Sequence, residues 1–164
     1  WTEANEYVIN GEAGFFHQGD WAAGMYRAAD GFEYNSDWSQ VPFPGTDGMY
    51  ALNMDSFPFP LNNPSPETTE KFLTYCGTVD AQERFNPKKG SIPPRTDVPK
   101  DEFGPFLQNQ MDEFADSEVQ PRSLQHGLAL DPDTLTAFGD AMSTFISEYD
   151  VDATFDALES AFGQ

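Results

Sequence analysis

Apolar side chains recur at helical spacing through the last third of the chain. One set spans about residues 132–148 and a second spans about 151–162, and in each the apolar positions fall three or four residues apart. The members are Leu135, Phe138, Met142, Phe145 and Ile146 in the first set, and Phe155, Leu158 and Phe162 in the second. The pattern therefore predicts two consecutive helices.

The same reading predicts five shorter helices upstream. They cover residues 1–10, which stop at Asn10-Gly11, then 22–29, a helix starting after Ser65-Pro66, 78–86 and 104–116. Aspartates and serines precede several of these segments, so Asp20, Ser65 and the aspartates before residues 132 and 151 are predicted to cap or precede helices. Capping is also a better interpretation than calcium binding for Asp131-Pro132-Asp133 and Asp150-Val151-Asp152, because no complete calcium loop is present.

Short apolar or extended runs between the helices predict strands. Residues 14–18 have the composition of a buried strand, residues 38–43 and the start of 49–59 are strand-like, and 119–125 is predicted to be extended. Residues 86–95 contain three prolines and a glycine, and we expect them not to be helical. The predicted fold class is α/β, with short strands and many helices.

Composition adds a strong charge asymmetry. The 164 residues include 28 Asp and Glu but 8 Lys and Arg, which gives a formal net charge of -20. Such a surface repels nucleic acid and anionic lipid, and it is typical of proteins that work in concentrated salt. The 15 Phe, 6 Tyr and 3 Trp indicate a folded chain, and the length suits one domain.

The scarce positive charge is concentrated in one stretch. Five of the eight basic residues lie between positions 84 and 100, around NPKKGSIPPR at 86–95. The single cysteine, Cys76, excludes an internal disulfide or a cysteine-rich zinc site, and its apolar surroundings in KFLTYC predict a buried thiol. No apolar run approaches the length of about 20 residues that a membrane span requires.

Signatures of enzymes are weak. The chain has two histidines, His17 and His126, neither of them in a GxSxG context, and it has no HExxH motif. A glycoside hydrolase using a pair of carboxylates stays open as the alternative, since acids and aromatics are both abundant. A third hypothesis is an acidic interaction module, which predicts no pocket containing both Trp21 and Asp55.

A sugar-binding site would use residue types that the chain contains. A flat aromatic covers the apolar face of a sugar ring, while charged side chains bind the hydroxyls at fixed angles. Trp21, Asp55, Lys89 and His126 would form such a set, although taken singly each also suits an ordinary structural role. No metal site and no cofactor are predicted.

Several motifs, in order along nearly the whole chain, resemble a known family. They are GEAGFFHQGDWAAGMY, PFPGTDGMYALNMDSFPFPLNN, ETTEKFLTYCGTVDAQERFNPKKGSIPPRTDV and QHGLALDP. Together they resemble the C-terminal portion of the extracellular solute-binding proteins of ABC importers, and within these the glucose and galactose binders. The segment FNPKKGSIPPRTDV is the most specific part of the resemblance.

The resemblance implies a periplasmic-binding-protein-type fold, in which two α/β lobes close on a sugar. It implies that Trp21 stacks on the sugar, that Asp55, Lys89 and His126 hydrogen-bond its hydroxyls, and that Trp1 forms a second aromatic wall. It further implies an extracellular or cell-surface protein without enzymatic activity, which delivers a monosaccharide to ABC permease subunits and touches the membrane only through an upstream anchor.

The resemblance also implies how the chain is divided between lobes. Residues 1–42 and 98–164 would belong to the second lobe, while 43–97 would form a hinge crossing and a segment that returns to the first lobe. The remainder of the first lobe would come from an N-terminal half of the same protein. Without that half, this portion would expose apolar surface, and we expect it not to be stable alone.

Overall fold

A computed structural model describes residues 1–124 and 126–163 as a largely helical chain. The helices of the described residues are α1 (Thr2–Ile9), α2 (Ala23–Ala28), α3 (Pro66–Cys76), α4 (Val79–Lys89), α5 (Pro105–Asp116), α6 (Pro132–Glu148) and α7 (Val151–Phe162). A single 3-10 turn, Asp20–Ala22, leads into α2. The seven helices predicted from periodicity are therefore confirmed, with boundaries that differ most at α4.

The predicted strands are largely wrong. Within the described residues, β-structure consists of three isolated bridges, Tyr34–Trp38, Met49–Val119 and Leu52–Arg122. Residues 14–18 and 38–43 are not strands, and Phe15 is 93% exposed. A strand needs backbone partners on a neighbouring segment, and apolar composition alone does not supply them. The segments predicted to be extended near residues 49 and 119 are joined by the bridge there and by the hydrogen bond from Tyr50 N to Val119 O, a pairing that the sequence did not predict.

The prediction that residues 86–95 contain no helix is also wrong, because α4 continues through Pro87 to Lys89. Proline near the end of a helix removes one backbone donor, and the side chain of the preceding residue, Asn86, makes hydrogen bonds of its own in this turn. Its Nδ2 donates to the Gln82 carbonyl at 3.1 Å, and its Oδ1 accepts from Ser91 at 2.9 Å. Gly90 then ends the helix in the left-handed conformation with φ 94°, which favours glycine.

Most of the chain belongs to one compact unit, which comprises Trp1–Tyr50 and Met54–Val119. Its core joins the 3-10 turn and α2, the loop after α2, the segment between α4 and α5, and α5 itself. The buried apolar members are Ala22, Ala23, Tyr26, Trp38, Val98, Phe103, Phe106 and Leu107. The fully buried Asn5 of α1 accepts a hydrogen bond from the Tyr26 hydroxyl at 3.1 Å, so α1 is tied to α2. The 3-10 turn that contains Asp20 and Trp21 leads directly into α2, so this core holds that part of the candidate site in place.

The second unit comprises Ala51–Asn53 and the described residues from 120 onward. Its main feature is the antiparallel-type pair α6 and α7, whose Phe138 and Phe162 rings meet edge to face at 6.2 Å. The predicted caps are confirmed: the Asp131 carboxylate accepts from the backbone N–H of Asp133 and Thr134, and Asp150 accepts from Ala153. These caps satisfy donors that a helix start would otherwise leave unpaired.

Apolar side chains are also exposed. The loop between Tyr50 and α3 leaves Phe57 and Phe59 about half exposed and Leu61 fully exposed. Cys76 is half-buried rather than buried. None of the helices within the described residues combines the length and apolarity needed to cross a bilayer.

Candidate functional site

Lys89 is the last residue of α4, and two glycines bring this end of the helix against α2. A Cβ built on Gly24 would lie 2.8 Å from the Lys89 carbonyl oxygen, and a Cβ built on Gly90 would lie 2.8 Å from the Gly24 nitrogen. Only glycine permits an approach this close. The backbone that carries Lys89 is therefore held directly against the helix that follows Asp20 and Trp21.

The Lys89 ammonium forms an ion pair with Asp55. The Nζ and Oδ2 atoms are 3.3 Å apart, and the two side chains are 35% and 74% exposed. Although the residues lie far apart in sequence, the chain brings together two members of the predicted set. Because the pair faces solvent, its own contribution to stability is small.

Asp20 is a third charged group at this position, and its role differs from the prediction. The 3-10 turn begins at Asp20 itself with Gly19 as its cap residue, so the prediction that Asp20 caps this helix is wrong. Its Oδ2 instead accepts from the backbone N–H of Ile92 at 3.3 Å, just after the end of α4. Burial raises the pKa of Asp20, while the Ile92 N–H and the charge of Lys89 act in the opposite direction.

Trp21 follows Asp20 and is half-buried. Its six-membered ring lies over Gly19, because a Cβ built there would come within 2.2 Å of the Trp21 Cζ3 atom. Glycine at position 19 therefore sets where this indole lies. The local sequence GDW thus supplies a half-buried carboxylate and a half-buried aromatic in consecutive positions.

Tyr50 is a neighbour that sequence reasoning missed. Burial raises the pKa of its hydroxyl, and the carboxylates of Asp20 and Glu113 raise it further. The phenol therefore stays neutral and keeps its proton. Its ring packs edge to face on Phe114 at 5.2 Å. The signal in the sequence was faint, since Tyr50 is one aromatic among many in a loop rich in glycine and proline.

Trp1 and His126 are the remaining predicted site residues. Trp1 is the cap residue of α1 and is 59% exposed, with its carbonyl accepting from Asn5 N at 3.1 Å. His126 belongs to the second unit, is exposed, and has its Nδ1 2.7 Å from the Ser123 hydroxyl. Of the predicted set, the structure thus pairs Asp55 with Lys89, and it adds Asp20, whose pKa is affected by both charges.

This cluster, comprising Asp20, Trp21, Asp55 and Lys89, contains the chemical groups that polyol-binding sites use. The carboxylates accept hydrogen bonds from hydroxyls, the ammonium donates, and an indole can cover an apolar ring face. An open groove beside α3, lined by Glu67, Lys71 and Tyr75 among others, contains none of these residues. In the part of the chain that the structure describes, no group of three or more acidic, histidine or cysteine side chains is arranged to hold a metal.

Comparison with known proteins identifies relatives of the chain. A family model described as bacterial extracellular solute-binding protein matches residues 1–113. A xylose/arabinose-binding protein of Haloferax volcanii is 43% identical over 167 aligned positions, which cover 99% of this chain and 36% of that relative. An uncharacterized ABC transporter extracellular-binding protein of Pyrococcus horikoshii is 38% identical, with 92% of this chain and 34% of the relative covered.

More distant relatives carry similar names. A probable sugar-binding periplasmic protein of Mesorhizobium japonicum is 31% identical, over 89% of this chain and 36% of the relative. The chain therefore spans about a third of the length of these curated relatives.

Proposed function

Because the chain belongs to the family of bacterial extracellular solute-binding proteins, we propose that it contributes the sugar-contacting residues of an ABC importer's binding component. Membership of the family confirms the resemblance on which the prediction depended. The family is one of extracellular binding proteins rather than enzymes, which supports an extracellular location and a binding role over the glycoside hydrolase. The Haloferax relative is consistent with the salt-rich habitat predicted from charge.

The observation that carries the proposal is the cluster at the end of α4. Lys89 pairs with Asp55, and the charges of both affect the pKa of the half-buried Asp20. Trp21 is the residue next to Asp20. We propose that the indole of Trp21 stacks on the sugar ring and that Asp55 and Lys89 hydrogen-bond its hydroxyls. An ammonium already oriented by its pairing with Asp55 loses little side-chain entropy when it donates to a ligand, which favours binding.

We propose first the class of sugar that binds and then the individual sugars. A neutral monosaccharide suits the cluster, and the motifs favour a hexose such as glucose or galactose. A relative is named as a xylose/arabinose-binding protein, so pentoses belong in the same test. His126 and Trp1 enter the proposal on the family resemblance, as a further hydrogen-bonding residue and a second aromatic wall.

The proposal extends to the whole protein. Residues 1–42 and 98–164 are assigned to one lobe and 43–97 to a hinge crossing and a return to the other lobe, with an ABC permease as the partner that receives the sugar. A membrane anchor upstream would hold the protein at the cell surface. Small-angle scattering with and without sugar would reveal closure of the two lobes.

Titration calorimetry in molar salt tests the binding role. The protein that carries this chain is titrated with glucose, galactose, xylose, arabinose and maltose. We expect heat with at least one monosaccharide and weaker binding of maltose. If none of these sugars and no other small solute releases heat, the proposed function is wrong. Preference for xylose or arabinose over glucose and galactose would replace the hexose assignment with a pentose.

A further inference from the structure

We propose that Asp20 is a specificity-determining residue, which makes the site accept neutral and cationic monosaccharides and reject sugars that carry a carboxylate or phosphate. This inference rests on the proposed function, since it concerns which sugars the same cluster binds. It assigns a role to a charged residue that sequence reasoning had interpreted as a helix cap.

The charges at the cluster do not cancel. Asp20 and Asp55 contribute two negative charges, and Lys89 contributes one positive charge. The Tyr50 phenol near Asp20 is neutral, and Glu113, which lies near Tyr50, is a further carboxylate. A ligand at the cluster therefore meets an excess of negative charge. A second anion there would suffer like-charge repulsion, whereas hydroxyl and ammonium groups would donate to the carboxylates.

The burial of Asp20 makes it the effective group in concentrated salt. In about 1 M salt, the interaction between exposed charges is screened within about 3 Å. The net charge of -20 and the 74% exposed side chain of Asp55 are both subject to that screening. Asp20 is half-buried, and a charge removed from solvent is screened much less. Selection against anions by Asp20 should therefore persist at salt concentrations that abolish selection by the surface.

The geometry also keeps this charge in place. The Asp20 carboxylate accepts a hydrogen bond from Ile92 N, and Gly24 packs closely on the Lys89 carbonyl. Separation of α2 from the end of α4 would break the hydrogen bond and the packing contact together. The carboxylate cannot turn into solvent without giving up the Ile92 hydrogen bond. An incoming anionic sugar would thus meet a fixed negative charge rather than a mobile side chain.

Four sugars provide the first test. The probes are glucose, xylose, glucosamine and glucuronate, which share a pyranose ring and differ in the group at carbon 5 or carbon 2. We expect glucuronate to bind at least about tenfold more weakly than the better of glucose and xylose, in line with like-charge costs above 1.4 kcal/mol. We expect glucosamine to bind at least as tightly as glucose. The ratio should change little between about 1 M and 3 M salt, where exposed charges are already screened.

Substitutions at Asp20 provide the second test. Asp20→Asn keeps an oxygen that accepts from Ile92 N and removes the charge, so the ratio of neutral sugar to glucuronate affinity should fall about fivefold or more, the size of a modest electrostatic coupling. Asp20→Glu keeps the charge and should keep the discrimination. Asp80→Asn removes an equal charge from an exposed pair with Arg84 at the other end of α4, and it should leave the ratio unchanged.

The outcomes separate the inference from the proposed function. Binding of glucuronate as tight as glucose in the unsubstituted protein would overturn the inference while supporting sugar binding. An unchanged ratio in Asp20→Asn, or an equal change in Asp80→Asn, would also overturn it. If Asp20→Asn does not fold, the salt series decides, because loss of discrimination at high salt assigns it to the surface charge. If none of the four sugars binds, this inference is wrong, whereas the proposed function is decided by the wider panel that includes galactose, arabinose and maltose.

Discussion

At the scale of single residues, the two adjacent lysines of α4 offer a matched pair. Lys89 faces Asp55, whereas Lys88 is exposed on the preceding position of the helix. Lys89→Met should weaken sugar binding about tenfold or more, because a hydrogen bond from a charged donor is worth about 1.5–3 kcal/mol. Lys88→Met should leave the affinity unchanged. If the two substitutions change the affinity equally in calorimetry, Lys89 is not a sugar-binding residue, and both lysines serve only as surface partners of carboxylates.

Trp21 is the second residue whose removal has a clear expected result. Trp21→Ala should cost about 2 kcal/mol or more of binding free energy, as is usual for an aromatic anchor. Trp21→Phe retains a ring and should recover part of the affinity. Calorimetry and thermal unfolding measured on the same samples separate lost binding from lost folding. Unchanged affinity in a folded Trp21→Ala variant would exclude Trp21 from the site.

The raised pKa of Asp20 predicts how the free energy of unfolding depends on pH. This pKa is raised above the ordinary value of 3.8, so the folded state binds the proton more tightly than the unfolded chain. The favourable contribution of the protonated group is complete below pH 3.8 and is lost as the pH rises through the folded-state pKa. Ionised Asp20 therefore costs stability at neutral pH, and Asp20→Asn should unfold at the same or a higher temperature there.

The advantage of Asp20→Asn should shrink as the pH is lowered, because the native aspartate then becomes neutral too. Thermal unfolding midpoints from pH 7 down to about pH 4 measure this difference directly. A clearly lower midpoint for Asp20→Asn at neutral pH would mean that the carboxylate stabilises the fold.

At the scale of elements, the packing of α2 on the end of α4 depends on Gly24. Glycine to alanine normally stabilises the interior of a helix by about 0.5–1 kcal/mol. At Gly24 the new Cβ would meet the Lys89 carbonyl oxygen at 2.8 Å, so the helices must move apart. Gly24→Ala should therefore lower stability by about 1–3 kcal/mol, as overpacking does, and should weaken sugar binding as Lys89 shifts.

Gly139 in α6 is the control for this substitution. Nothing lies within 4 Å of a Cβ built there, so Gly139→Ala should raise the midpoint of thermal unfolding and leave sugar affinity unchanged. Opposite signs for the same chemical change would show that packing, not helix propensity, decides the result at Gly24. A stabilising Gly24→Ala with normal affinity would contradict the close packing described for α2 and α4.

At the scale of the whole molecule, the net negative charge makes the unfolding temperature depend on salt concentration. A net charge of -20 on 164 residues repels itself in the compact state, and added salt screens that repulsion. The unfolding temperature should rise as sodium or potassium chloride is increased from about 0.1 M, where the screening length is about 10 Å, to about 2 M. A midpoint that falls or stays level over this range would show that self-repulsion does not limit stability.

Local signals determined how well each element could be predicted. The bounds of α6 and α7 follow from apolar spacing and from aspartates whose side chains cap the next turn, and all of these interactions lie within a few residues. The strands at 14–18 and 38–43 were wrong because strand formation depends on partners elsewhere in the chain. α4 continues through Pro87 to Lys89, and the hydrogen bonds of Asn86 with Gln82 and Ser91 in this turn are contacts that composition does not reveal.

By itself, the sequence determined where the helices lie, the caps of α6 and α7, the acidic surface and the resemblance to solute-binding proteins, because each depends on short-range order or on composition. Only the tertiary structure decided that Lys89 meets Asp55 and that Asp20 becomes half-buried beside them. These pairings join residues that are distant along the chain, and they depend on Gly24 and Gly90 allowing two helices into backbone contact. The basic segment NPKKGSIPPR thus changes from an unexplained concentration of positive charge to the end of a helix whose last lysine pairs with Asp55.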